Sequence, residues 1–220
     1  MGTLVEKAVQ LAIEALRDRD LDLARQVIDG DDLVDQMEVA LEERCMRLIA
    51  LQQPLAGDLR TIGTVLKLIT DLERVGDYAT NIAEIAVRMA RAPLIKPPLD
   101  IPRMAEMAQR MLRQSLDAFV HRDVELAERV CRADDAVDER FGALYDELMQ
   151  GIASGPDPQQ VSQAVHLIFA ARYVERIADH ATNIAERVIY MVTGKRVAHQ
   201  MRHRIFGAAT PTQGLPNLHA

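Results

Sequence analysis

Apolar residues recur at helical spacing along most of the chain, with polar residues between them, and the alternation typical of strands is not evident. Breaks in this pattern at RDRD, QQPLAG, HRD and SGPDP separate the periodic segments. The pattern predicts six helices near residues 3–18, 21–51, 58–91, 101–121, 123–152 and 158–193. We therefore expect an all-α protein.

The second half of the chain repeats the first. The segment ERVGDYATNIAE at 73–84 returns as ERIADHATNIAE at 175–186, with nine of twelve letters identical. The segment DLARQVIDGDDLVD at 22–35 likewise matches ELAERVCRADDAVD at 125–138 in seven of fourteen positions. Each copy holds three of the predicted helices, joined by short loops. This organisation predicts two tandem, sequence-related antiparallel three-helix bundles.

The copies define the domain boundaries. We assign the first bundle to residues 1–92 and the second to residues 101–194. Residues 93–100 between them form a proline-rich linker, because four prolines in APLIKPPLDIP prevent a continuous helix. Residues 195–220 have no counterpart in the first copy, so we expect a short basic helical extension and then disorder from about Gly207.

Composition narrows the class of protein. Hydrophobic residues make up 49% of the chain, which is enough for a core, but no window reaches the roughly eighteen apolar residues of a membrane span. The N-terminus is unlike a signal peptide, so we expect a cytoplasmic protein. The formal net charge of -7 argues against nucleic-acid binding. Cys45 and Cys131 are isolated and are expected to be small core residues.

Carboxylates line one face of the third helix in each copy, because residues at i, i+4, i+7 and i+11 share a helix face. The first column consists of Glu73, Asp77, Thr80 and Glu84, and the second of Glu175, Asp179, Thr182 and Glu186. One interpretation is the solvated side of an amphipathic helix. However, the same face is apolar before and after the acids in both copies, which is unusual for a solvent-facing surface.

The acids have predicted partners on the preceding helix. Antiparallel helices place residues opposite each other when they are equidistant from the connecting turn. In the first copy, the pair Asp31 and Asp35 lies as far before Pro54, inside a predicted turn, as the pair Glu73 and Asp77 lies after it. In the second copy, the pair Asp134 and Asp138 lies as far before the junction of residues 156 and 157 as the pair Glu175 and Asp179 lies after it. We expect the two pairs of each copy to face each other.

Facing carboxylates require compensation, because each like-charged pair at about 6 Å costs roughly 2–3 kcal/mol at an effective dielectric constant near 20. Protonation, metal ions or the neighbouring Arg74 and Arg176 could supply it. These arginines lie about a quarter-turn from the column, so we expect them to brace its flanks or face the next helix. Oxygen ligands suit Mg, Mn, Fe or Zn, and such a cluster could hold more than one ion. We predict metal binding and leave the metal open.

Other chemistry has little support in the sequence. The columns lack the Glu-x-x-His pairs of a ferritin-like di-metal enzyme, and there is no phosphate loop or nucleophile–base constellation. We expect no enzymatic activity. His180, which replaces Tyr78, lies off the acidic column and is expected to be an ordinary packing or surface residue. Met104, Met107 and Met111 could serve a partner helix, although this spacing is more typical of core.

These motifs resemble the PhoU family, whose members are accessory regulators of high-affinity phosphate uptake. The matching segments of the first copy are GDDLVDQME at 30–38, QQPLAGDLR at 52–60 and DLERVGDYATNI at 71–82. The second copy contributes ADDAVDERF and RYVERIADHATNI. The resemblance covers roughly residues 4–194, including the duplication and the order of the motifs.

The resemblance implies a fold, ligands and partners. PhoU-like proteins are two three-helix bundles, commonly homodimeric, with E(D)xxxD motifs at which multinuclear iron or zinc clusters or other divalent ions are placed. Glu73, Asp77, Glu175 and Asp179 match this motif directly. On the facing helices, acidic residues with the same spacing match its form, namely Asp31, Asp35, Asp134 and Asp138. The implied partners are a phosphate-sensing histidine kinase and the ATPase subunit of the phosphate-specific ABC transporter, through which alone the protein would reach the membrane. The implied function is negative regulation of the phosphate-starvation response.

Two alternatives remain open. One is a carboxylate-bridged metalloenzyme or metal store built on helical bundles, and the other is a structural adaptor whose acidic faces hold no metal. The copies also differ, because Glu38 and Glu42 in the first correspond to Phe141 and Tyr145 in the second. We therefore expect the two sites to differ in charge and in metal load.

Overall fold

The computed structural model describes residues 1–90, 100–155 and 157–196. In these ranges the chain forms six α-helices, which are α1 Gly2–Asp18, α2 Leu21–Gln52, α3 Ala56–Met89, α4 Asp100–His121, α5 Val124–Ala153 and α6 Pro158–Thr193. The all-α prediction is confirmed, and each helix begins and ends within two residues of its predicted bounds. The predicted linker and C-terminal extension lie outside the described residues except at their edges.

Local chemistry explains where the helices begin and end. Asp20 and Asp157 cap α2 and α6 by accepting backbone hydrogen bonds from the first turn, and Asp123 does so for α5. Arg19 and Arg122 adopt left-handed backbone conformations, with φ of 58° and 54°, which end the preceding helices. The RDRD and HRD breaks therefore each combine a helix stop with the cap of the next helix.

Each repeat packs its three helices around its own part of a continuous apolar core. Helices α1, α2 and α3 form the first bundle, and α4, α5 and α6 form the second. The long helices α3 and α6 also pack against each other and join the bundles. Ile82 of α3 and Ile184 of α6, which occupy equivalent positions in the repeats, are both fully buried. The helices that carry the acidic columns are thus the central helices of the molecule.

The sequence predicts that the two cysteines and the α4 methionines pack in the core, and the structure confirms this prediction. Cys45 is buried, and Cys131 is half-buried against the core. Met104 and Met111 are buried, and Met107 packs against the core from a half-buried position. These methionines therefore stabilise the second bundle and do not form an exposed face for a partner helix. None of the described helices is both long and apolar enough to cross a membrane.

Candidate functional site

In the first repeat, Asp31 of α2 faces the acidic column of α3. It is half-buried, and its carboxylate is hydrogen-bonded to Thr80, a member of that column. Burial raises the pKa of the Asp31 carboxyl above its ordinary value, the Thr80 hydrogen bond opposes the increase, and the charges of Asp35 and Asp77 add to it. The structure thus places Asp31 within range of the α3 carboxylates.

Glu73 occupies the next position along the same face. Its side chain is 17% exposed. Burial raises the pKa of the Glu73 carboxyl, Asp77 adds to the increase, and Glu38 and Asp35 of α2 contribute further. Carboxylates from both helices therefore influence one another, and Glu38 extends the acidic group beyond the four predicted residues.

A glycine lets the two helices approach closely at this level. A methyl group on Gly76 would lie 3.3 Å from Val34 Cγ1 and 3.7 Å from Asp31 Oδ1. The first contact is tighter than ordinary van der Waals packing, so a larger residue would push α2 away from α3. Gly76 lies between Glu73 and Asp77, and it thereby brings the carboxylates of the facing helix towards them.

In the second repeat the most perturbed acid is Glu175, whose side chain is only 10% exposed. Burial raises the pKa of Glu175 to about 7, and repulsion from Asp179 adds to the increase. Asp138 of α5 has a raised pKa for the same reasons, namely burial first and then Asp179. Asp134, one turn earlier on α5, is half-buried. The structure thus brings α5 and α6 carboxylates together as it does those of α2 and α3.

Arg74 and Arg176 brace the flanks of the columns through ion pairs with acids of their own helix. The Nη1 atom of Arg74 lies 3.0 Å from Asp77 Oδ2, and that of Arg176 lies 3.2 Å from Asp179 Oδ2. Both arginines are largely exposed, with 55% and 44% of the side chain accessible. Exposed ion pairs contribute little. The same arginines also approach the buried acids, with Arg74 Nε 3.5 Å from Glu73 Oε2 and Arg176 Nε 3.8 Å from Glu175 Oε2, so they offset only part of the charge of the columns.

Arg172 distinguishes the second site from the first. Its Nη1 atom lies 2.7 Å from Glu175 Oε1, and its guanidinium group lies over the ring of Phe141, 5.4 Å from the centroid. The equivalent residue of the first repeat is Thr70, and Phe141 replaces Glu38. The first site therefore has an extra carboxylate where the second has a stacked cation, in agreement with the expected difference in charge.

The acidic columns can be tested for their fit to a metal ion. Across residues 1–90, 100–155 and 157–196, no three His, Cys, Asp or Glu side chains converge closely enough to hold a cation as they stand. However, the buried Oε2 atom of Glu175 accepts no hydrogen bond among the described residues and has only an ion-pair contact of 3.8 Å with Arg176 Nε, and Thr182 Oγ1 has no hydrogen-bond partner there. Buried oxygen atoms without partners are costly, and a hard cation would satisfy them. The donor set therefore fits an oxygen-preferring metal if the side chains draw together around it.

Glu175→Gln is expected to stabilise the metal-free protein at pH 8. Because the folded-state pKa is raised to about 7, the folded protein favours the protonated carboxyl, and its stability falls as pH rises from about 4.5 to 7. The amide avoids this loss, so thermal unfolding with a chelator present should occur about 5 °C higher than in the wild type at pH 8. The difference should shrink towards pH 5.

The exposed Glu106 on α4 provides the control, since Glu106→Gln makes the same chemical change in water. It should leave the unfolding temperature unchanged at both pH values. A Glu175→Gln variant that is less stable than wild type at pH 8 would contradict the prediction, because the ion pair with Arg172 would then outweigh the burial of the charge.

Sequence reasoning missed a buried charge cluster between the two repeats. Asp71 of α3 is 5% exposed, and its carboxylate contacts His180 Nδ1 at 2.9 Å and Arg187 Nε at 2.8 Å, both on α6. His180 packs as expected, but it also bonds a buried carboxylate of the other repeat. The available signal was a departure from the repeat, since Tyr173 stands where the first copy has Asp71.

Comparison with known proteins agrees with this architecture. The family model described as the PhoU domain matches residues 1–86 and again residues 101–188. A phosphate-specific transport system accessory protein PhoU homolog from Aquifex aeolicus is 46% identical over 200 residues, which are 91% of this chain and 90% of the relative. The homolog of the same description from Pseudomonas aeruginosa is 40% identical, covering 90% and 82%.

Two solved structures are similar to the chain over most of its length. The crystal structure of PhoU from Pseudomonas aeruginosa superposes with a TM-score of 0.85 at 40% identity, covering 89% of this chain and 93% of the other. The phosphate transport system regulatory protein PhoU from Streptococcus pneumoniae superposes with a TM-score of 0.82 at 28% identity, covering 89% and 91%. The similarity thus includes both repeats and their relative arrangement.

Proposed function

The chain belongs to the PhoU family of phosphate-specific transport system accessory proteins, and on that premise we propose that it is a cytoplasmic negative regulator of the phosphate-starvation response. In this proposal it couples the ATPase subunit of the phosphate ABC transporter to a phosphate-sensing histidine kinase by direct protein contact. Relatives named as accessory or regulatory proteins favour a role without catalysis. The observation that carries the proposal is the repeated acidic column, placed on the central helix of both matched domains.

The proposal includes a metal at each column. The residues that would hold it are Asp31, Asp35, Glu73 and Asp77 in the first repeat, and Asp134, Asp138, Glu175 and Asp179 in the second. Iron, zinc, magnesium or manganese would suit these oxygen donors, and each site could hold more than one ion. The bound ion would supply compensating positive charge. It would thereby tie α2 to α3 and α5 to α6 and stabilise one shape of the docking face.

The raised pKa values support this role. Carboxyl groups that repel one another and are partly desolvated, such as Glu73 and Glu175, are disfavoured as anions without a counter-charge. A purely structural solvent face would not require burying them. The same observation makes the column a switchable element, because ion binding and ion loss would change the charge between two packed helices. We further propose a homodimer, which size-exclusion chromatography with light scattering would test.

Replacing the acids by alanine is expected to abolish repression. In a strain lacking its own copy, the wild-type chain should silence a phosphate-starvation reporter in phosphate-rich medium. A variant with Glu73, Asp77, Glu175 and Asp179 all changed to Ala should leave the reporter at its starved level. Reporter activity and co-purification of the kinase and the ATPase subunit are the two measurements.

The matched control is an equal number of alanines at exposed acids away from the columns, such as Glu106, Asp117, Glu128 and Asp146. This control should retain repression and both partners. Regulation by the column variant at the wild-type level would contradict the role of the acids. Failure of the intact wild-type chain to recover either partner would contradict the coupling function itself.

A further inference from the structure

A cleft of about 730 Å³ lies between the N-terminal half of α3 and the C-terminal end of α6, where the two repeats meet. Four cationic side chains and one carboxylate line it, namely Arg60, Lys67, Arg187, Arg196 and Glu186. The chain as a whole has a formal charge of -7, so the charge of this surface is opposite in sign to the net charge of the protein. Such a concave cationic surface attracts anions.

Arg60 is the residue that points most clearly to a ligand. It is half-buried, and its Nε atom is buried without a hydrogen-bond partner in the described ranges. A buried guanidinium nitrogen without an acceptor is unfavourable, and a bound anion would supply the acceptor. On the facing helix, Asp71 holds Arg187 through its Nε atom at 2.8 Å, which fixes this guanidinium group at the wall of the cleft.

The internal duplication indicates that the helix fold does not require Arg60 or Lys67. Glu73 and Glu175 are equivalent and 102 residues apart, and the same offset places Ser162 at the position of Arg60 and Phe169 at that of Lys67. On the other side of the cleft, Ile85 is the first-repeat equivalent of Arg187. The sister helix α6 therefore lacks the two cations of α3, and α3 lacks the one cation of α6. We infer that Arg60 and Lys67 serve a ligand and not the packing of α3 against α6, whereas Arg187 also holds Asp71 of the facing helix.

The spread of the charges indicates the class of ligand. Arg60 and Lys67 are seven residues apart, which separates them by two helical turns or about 10 Å along the axis. Guanidinium groups bind phosphate oxygens through paired hydrogen bonds. We propose that this cleft binds a small molecule carrying two or more linked phosphate groups, such as an inorganic oligophosphate or a nucleotide. The proposal does not depend on the metal sites or on the regulatory role.

Isothermal titration of the purified full-length chain tests the proposal, with chelator present so that metal-bridged binding is removed. Inorganic triphosphate should bind saturably at one site per chain and at least about tenfold more tightly than orthophosphate. Arg60→Ser and Lys67→Phe should each weaken it by about tenfold or more, since each removes a charge-assisted contact. Added salt should weaken binding as well. Both substitutions introduce the residue that the sister helix carries, so the folded helix accommodates them.

Arg110→Ser is the control, because it removes one exposed arginine from α4 outside the cleft. It should bind triphosphate like the wild type. Tighter binding of ATP than of triphosphate would support a nucleotide ligand, and equal binding would support the phosphate chain alone. The proposal is overturned if no probe binds saturably, if Arg60→Ser binds normally, or if orthophosphate or citrate binds as tightly as triphosphate.

Discussion

Asp71→Ala is expected to lower the unfolding temperature of the chain by roughly 6–12 °C. The carboxylate is buried between α3 and α6 and contacts His180 and Arg187 of the second repeat. Its removal takes their partner from His180 and Arg187 and a weaker one from Asn183 at the interface, which typically costs several kcal/mol. Thermal unfolding followed by circular dichroism measures the effect. The substitution should weaken mainly the packing of α3 against α6, which joins the two repeats.

Two further variants separate the cluster from a general effect of losing a charge. Asp117→Ala removes an exposed carboxylate on α4 and should change the unfolding temperature by less than about 2 °C. Arg187→Ile introduces the residue of the equivalent first-repeat position and should also destabilise. The double variant of Asp71 and Arg187 should be less destabilised than the sum of the single ones, because both lose the same interaction. Additive losses would contradict a coupled cluster, as would an Asp71→Ala protein as stable as the wild type.

The approximate symmetry of the repeats shows what occupies the position equivalent to this cluster. Under the offset of 102 residues, Asp71 corresponds to Tyr173 and Tyr78 corresponds to His180. The position equivalent to the contact between Asp71 and His180 is therefore occupied by the stacked rings of Tyr78 and Tyr173, whose centroids are 5.8 Å apart. One of the two equivalent contacts is aromatic and the other is ionic. The two contacts join the same helices by different chemistry.

The contrast between the columns and this cluster shows what the sequence can predict. Helix bounds and the facing of Asp31 towards α3 follow from local periodicity and from distance to a turn, which a single sequence displays. The Asp71 cluster depends on how α3 registers against α6, more than a hundred residues away. No periodicity encodes that register, so His180 was expected to be only a packing or surface residue. Positions where the repeats differ in polarity were the available signal.

The role of Arg172 was likewise beyond the sequence. Its stacking on Phe141 requires α5 and α6 to be in register, whereas its ion pair with Glu175 lies within α6. The sequence did indicate that the two sites differ, because Phe141 replaces Glu38. It did not show that the guanidinium group of Arg172 lies beside Phe141, since this arginine lies one turn before the acidic motif and has no charged counterpart in the first repeat.

Protein purified without chelator is expected to contain metal, and the first column should hold it more tightly than the second. Glu73→Ala with Asp77→Ala should weaken metal binding at the first site by about a hundredfold or more, because even indirect contacts to a metal ligand contribute 10- to 100-fold. Glu175→Ala with Asp179→Ala should remove the weaker site. Elemental analysis, followed by titration of the chelator-treated protein with each metal, measures both. These variants also separate the sites, since each leaves the other column intact.

Arg172→Thr sharpens this test, because it gives the second site the residue of the first. In the wild type the guanidinium group neutralises part of the charge of Glu175, whose Oε1 atom it contacts at 2.7 Å, so a cation must displace it. Removing it should tighten metal binding at the second column and bring the affinities of the two sites closer. Arg176 pairs mainly with Asp179 from an exposed position, so Arg176→Thr should have a smaller effect. Metal-free protein from chelator-free purification that also fails to bind Mg, Mn, Fe or Zn on titration would instead favour the structural adaptor.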